Sequence, residues 1–170
     1  MMKKTAGFTM IELMASMAIL AVLIGFSLTL LNPRGQLAKA RDVQRKADLD
    51  QYSIALEAYA TANNSLYTRR NGRQTASSYP CDVLNPIFLA NCPSDPGHNP
   101  GTAPNDDYRY RTDNPPGCGD PGEPCATQYV LWTYLETGGV WEICSDGRRG
   151  KLEINPPALP SDSGGNCEVP

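Results

Sequence analysis

Histidine is almost missing from this 170-residue chain, His98 being its one example, in a stretch crowded with Pro and Gly. A lone loop imidazole has no partner for acid–base work, and no G-x-S-x-G or paired metal motif accompanies it. The neighbouring carboxylates of Asp106 and Asp107 point apart on a strand, so they do not share a substrate. The sequence therefore reads as non-enzymatic, with no cofactor. Basic charge is scarce as well: the net charge is -3 and the isoelectric point near 5.1. Counterion release needs a dense basic surface, which argues against nucleic acid as a partner. Arg69, Arg70 and Arg73 in "YTRRNGRQ" form the one local basic cluster, and it reads as a solvated loop. Long apolar runs are missing after Asn32, where the chain is polar, rich in Gly and Pro, and able to bury only a small core. C-x2-C and C-x4-C spacings are absent too. Cys81, Cys92, Cys118, Cys125, Cys144 and Cys167 all fall in the back half, and their even count in a loop-rich region reads as a disulfide framework outside the cytoplasm rather than a zinc site. Short-range closure favours Cys81 with Cys92, Cys118 with Cys125, and Cys144 with Cys167.

What the chain has is a run of 24 residues, from Phe8 to Leu31, interrupted only by Glu12 and a few hydroxyls. That is long enough to cross a hydrocarbon core about 30 Å thick. It is also too long for a secretory h-region, and no small-x-small cleavage site follows it. Orientation poses a conflict. Lys3 and Lys4 precede the span, whereas Arg34, Lys39, Arg41, Arg45 and Lys46 follow it, so the positive-inside rule puts the C-terminus in the cytoplasm. The cysteine framework says the reverse and decides the matter, because Asp42, Asp48 and Asp50 interleave those cations. Glu12 is the anomaly. A carboxylate at mid-bilayer costs about 2.5 to 3.5 kcal/mol, so it needs a partner, a purpose, or a shallow site from which to snorkel.

The segment "KKTAGFTMIELM" resembles the processing site of type IV pilins and type II secretion pseudopilins: a short basic leader, Gly7, Phe8, and Glu12 as the fifth residue after Gly7. The resemblance implies cleavage between Gly7 and Phe8 by a prepilin peptidase, N-methylation of Phe8, and a contact between Glu12 and the amino terminus of a neighbouring subunit. It further implies other copies of this chain or other pilins as filament partners, an inner-membrane assembly platform, and membrane lipid. The expected fold is α+β, a long N-terminal helix bearing a small antiparallel head. The expected segments are a leader (1–7), a single-pass transmembrane helix that forms the filament core (8–31), an amphipathic continuation (32–64) and a disulfide-rich head outside the cytoplasm (65–170). The function so implied is a structural subunit of a pilus or pseudopilus. The alternative is a membrane-anchored minor pilin that binds DNA or a surface glycan.

The residues of the continuation support a helix by themselves. Leu49, Tyr52, Leu56 and Tyr59 recur at helical spacing, Ala55 and Ala62 extend the same face, and Asp42 stands four residues before Lys46. Asn63 and Asn64 should stop it, and Asn32-Pro33-Arg34-Gly35 should kink or melt it. The charges from Lys39 to Asp50 suit either a solvated face or contacts between subunits. Beyond the helix, 65–107 reads as irregular, with a short insert from Val83 to Leu89. "YRYRT", "TQYVLWTYLETGG", "VWEICSD" and "KLEI" read as strands, with Gly138 and Gly139 turning one hairpin. Trp132, Tyr134 and Trp141 allow a sugar platform but fit core packing better. Asp120 and Glu123 offer oxygens to calcium without an EF-hand pattern.

Overall fold

The computed structural model describes residues 7–30, 32–69, 74–97, 107–113, 115, 117, 118, 122–153, 167 and 169. Its contacts divide the chain into two units, Met1–Leu37 and Ala38–Pro170. The architecture is α+β.

Helix α1 spans Met10–Leu30 and is apolar on every face. Its hydroxyls are satisfied locally: Ser16 Oγ donates to the Leu13 carbonyl at 2.9 Å and Ser27 Oγ to that of Leu23 at 2.8 Å. Helix α2 spans Pro33–Ala62. Asn32 precedes it at φ 39° and accepts the N–H groups of Gly35 and Gln36 on its carbonyl. Proline at the first helical position forfeits no hydrogen bond. The expected disruption is thus confined to the point before Pro33, and Arg34 and Gly35 are helical. At the other end Asn64 and Ser65 take positive φ, and the N–H groups of Asn63 and Ser65 converge on the Ala60 carbonyl at 3.0 and 2.8 Å.

The second unit adds strands β1 (Tyr67–Thr68) and β2 (Gln74–Thr75), the short helix α3 (Cys81–Leu84), then β3 (Arg109–Thr112), β4 (Pro124–Ala126), β5 (Tyr129–Tyr134), β6 (Val140–Cys144) and β7 (Arg149–Leu152). An antiparallel sheet runs in the order β2-β3-β5-β6-β7, and β1 pairs with β4 separately. The segment from 65 to 107 expected as irregular therefore carries β1, β2 and α3, and the Cys118–Cys125 loop ends in a strand. These pieces are too short to show a two-residue period. The last strand begins at Arg149, two residues before the expected Lys151, and Ile154 lies outside the described residues.

Alternation sorts β5 between two clusters. Tyr129 and Leu131 join Leu49, Tyr52, Leu56 and Tyr59 of α2, while Val130 and Trp132 pack with Val140 on the other face. Ala62 is exposed, and Ala60 takes its place in the core. The main cluster is rich in tyrosine, and each buried phenol is tied down. Tyr52 donates to the Pro93 carbonyl at 2.9 Å, Tyr110 to that of Thr68 at 2.7 Å, and Tyr129 shares a bond with Ser53 at 3.0 Å. Burial raises all three phenols, which keeps them in the neutral, donating form. A small core is thereby stitched by hydrogen bonds as well as packed.

Candidate functional site

Thr9 stands immediately before α1, and Glu12 is the third helical residue. The Glu12 N–H donates to Thr9 Oγ1 at 3.3 Å, and the Leu13 N–H to the Thr9 carbonyl at 3.2 Å. Thr-x-x-Glu is the spacing of a capping box, and an acid in the first turn is favoured by the helix dipole. Sequence reasoning aimed at an intermolecular partner missed this role of Thr9, although T-M-I-E carries the signal. Glu12 is exposed, and so is Phe8, at 84% of its surface. A Cβ built on Gly7 meets nothing within 4 Å. The described fold thus sets no requirement for glycine at that position. Met10–Ser27 has a mean hydropathy of 2.1 and none of it is buried, so by length and composition it is able to cross a membrane. A helix apolar all round needs lipid or other helices around it.

The charges of α2 do something the sequence did not announce. Arg45 reaches Asp95 through Nε at 2.7 Å and Nη2 at 2.8 Å, Asp42 through Nη1 at 2.8 Å, and Glu136 at 2.9 Å. Asp42 also accepts the N–H groups of Glu136 and Thr137 and the Thr137 hydroxyl, at 2.8, 3.0 and 2.7 Å. It thereby caps the turn between β5 and β6. Burial pushes Asp42 upward, but those bonds outweigh it and hold the carboxyl below its usual range. Arg41 forks onto Glu136, which lowers Glu136 likewise. Asp48 accepts Tyr108 at 2.5 Å and is raised by burial. The expected pair of Asp42 with Lys46 does not form; Lys46 lies over the Trp141 ring at 4.3 Å. Asp50 meets Arg149 at 2.8 Å, and Glu57 accepts Tyr67 and Tyr129. All seven charged residues from Arg41 to Glu57 are engaged within the head. The outward face keeps Val43, Gln44, Ala47, Gln51, Ile54 and Ala58.

Three disulfides are formed: Cys81–Cys92, Cys118–Cys125 and Cys144–Cys167. Glu142, Cys144 and Cys167 gather as a set with metal-ligating atoms, but the two sulfurs are bonded to each other. Trp132 and Tyr134 share one sheet face, whereas Trp141 pairs with Thr133 on the other, so the three aromatics form no common platform. Arg69 is buried at the end of β1. Arg70, Arg73, His98, Asp106 and Asp120 lie outside the described residues, and Glu123 is exposed.

Residues 2–28 match the family model described as a prokaryotic N-terminal methylation motif. No curated protein and no solved structure matches the chain.

Proposed function

We infer that a chain carrying this methylation motif, the signature of type IV pilins and pseudopilins, is a pilin-like structural subunit of a pilus or secretion pseudopilus. The observation that carries the reading is the coincidence of that motif with an exposed α1, apolar but for Glu12 and a few hydroxyls, that begins two residues after Phe8. A prepilin peptidase cuts between Gly7 and Phe8 and methylates the new amine. Gly7 serves the peptidase, since the described fold makes no use of it. α1 then anchors the subunit as a single pass with the head outside the cytoplasm, and packs with other copies or other pilins delivered by the inner-membrane platform. The chain's role is structural and not enzymatic.

The Glu12 N–H is capped by Thr9 Oγ1, and its carboxylate is offered to the methylated amine of the next subunit. Losing one partner of a desolvated pair costs about 3 to 5 kcal/mol. Glu12→Ala is therefore expected to leave membrane-bound protein at parental levels and to cut the yield of sheared filaments severely, with Glu12→Gln intermediate. Filament yield relative to total membrane-bound protein measures this; parental assembly of Glu12→Ala would mean that the carboxylate only snorkels and that the pairing is wrong. Mass spectrometry of the mature protein should find Phe8 at the N-terminus, and any other terminus sinks the reading.

A further inference from the structure

Among the described residues of the second unit, three large apolar side chains stand more than half exposed: Val43 at 66%, Ile54 at 70% and Ile87 at 80%. Two of them belong to the outward face of α2. Val43, Ala47, Ile54 and Ala58 fall in one stripe of that helix about 60° wide. Between the two branched side chains Ala47 leaves a hollow, with Gln51 beside it. The stripe brings no unengaged charge, because the seven charged residues of 41–57 are held within the head. It offers nothing to a polyanion, a phosphate headgroup or an acidic peptide. What it fits is an apolar side chain.

Ile87 is presented by a loop that is tied down on every side of it. The Cys81–Cys92 bridge closes the loop, and Asn85 Nδ2 donates across it to the Ala90 carbonyl at 3.0 Å. The Phe88 and Leu89 N–H groups both donate to the Leu84 carbonyl, at 2.8 and 3.1 Å. Leu84 and Leu89 are buried, and the Phe88 ring meets that of Tyr59 edge-on, centroids 5.5 Å apart. A single exposed isoleucine is ordinary on a protein surface. One held out by a preorganised loop is different, since it gives up little freedom when it becomes buried.

We propose that these two surfaces meet between copies of the chain: Ile87 of one copy seats in the Ala47 hollow of the next, between Val43 and Ile54. The proposal rests on the pilin-like reading and deepens it, adding a contact between heads to the packing of α1. The occupant is a second copy because one chain supplies both halves of the contact, one knob for each stripe, as a homopolymer requires. Knob and stripe are separate patches, so the contact is heterologous. Each copy gives its loop to one neighbour and its stripe to another, and a two-fold dimer does not satisfy both.

The test replaces Ile87 by the photoreactive p-benzoylphenylalanine in the full chain, co-expressed in membranes with an affinity-tagged copy that carries no probe. After irradiation the tagged copy is purified, so that every adduct between chains is between copies, and the adducts are mapped by mass spectrometry. The adduct is expected within residues 43–58 of the tagged copy. Ile54→Glu in the tagged copy should lower its yield by about fivefold or more, because the contact would bury an unpaired carboxylate, while Ile54→Val should leave it unchanged. Ile54 is exposed, so neither substitution disturbs the core. An adduct with lipid, with another protein or outside 43–58 overturns the proposal, as does an equal yield in Ile54→Glu. Sheared filaments are scored in the same cells. Filaments without the adduct overturn this contact and leave the pilin-like reading standing, whereas the adduct without filaments supports the contact and counts against that reading.

Discussion

Arg45 satisfies three carboxylates from different parts of the chain, with its side chain only 6% exposed. Arg45→Ala leaves Asp42 and Asp95 buried beside one another's charge, and a loss of about 3 to 5 kcal/mol is expected in denaturant unfolding of the head. Arg45→Lys should recover only part of it, because an ammonium cannot fork onto Asp95. The same cluster sets an acid limit. Asp42 and Glu136 are held below their ordinary values of 3.8 and 4.5, so the unfolded chain binds protons first as pH falls. Their contribution is complete above those values and is lost as pH drops through the lower folded-state ones. Asp48, raised by burial, works with the opposite sign. Thermal melts should be flat from neutrality to about pH 5 and fall below about pH 4, with the fall reduced only in part in Arg45→Ala, because Thr137 and the Glu136 N–H still hold Asp42 down and Arg41 still holds Glu136 down. None of this was legible in the sequence. An i,i+4 rule sees only helix neighbours, and two of the three partners of Arg45 lie 50 and 91 residues away.

Elements were legible where they were long and periodic. The buried face of α2 and the hairpin of β5 with β6 follow from apolar spacing and from Gly138-Gly139, whereas β1, β2 and β4 are two or three residues long and exist through their partners. The two turn glycines are not equivalent. Both take positive φ, 94° and 84°, but a Cβ on Gly138 meets open space while one on Gly139 falls 2.6 Å from the Leu152 carbonyl oxygen. Gly138→Ala should cost about 1 to 2 kcal/mol, the ordinary left-handed penalty. Gly139→Ala should cost clearly more, because β7 must shift; paired urea titrations of the two variants give the comparison, and equal costs would mean that β7 yields freely.

At the scale of the molecule, the motif at the N-terminus was readable at once, while the head's irregular stretches were readable through their cysteines and the short-range pairing those spacings favour. Its three bridges close spans of 11, 7 and 23 residues. Replacing each pair by alanine should destabilise in the order of span, with Cys144–Cys167 exceeding Cys118–Cys125 by about 1 kcal/mol from loop entropy. Calorimetry of the three double variants tests the order. The inward turn of the α2 charges has a consequence of another kind. Salt screens charges over about 8 Å at physiological ionic strength and leaves apolar contact almost untouched. A contact made across the face of Val43, Ala47, Ile54 and Ala58 would be driven by dehydration, and it should hold from dilute buffer to brine and weaken on chilling.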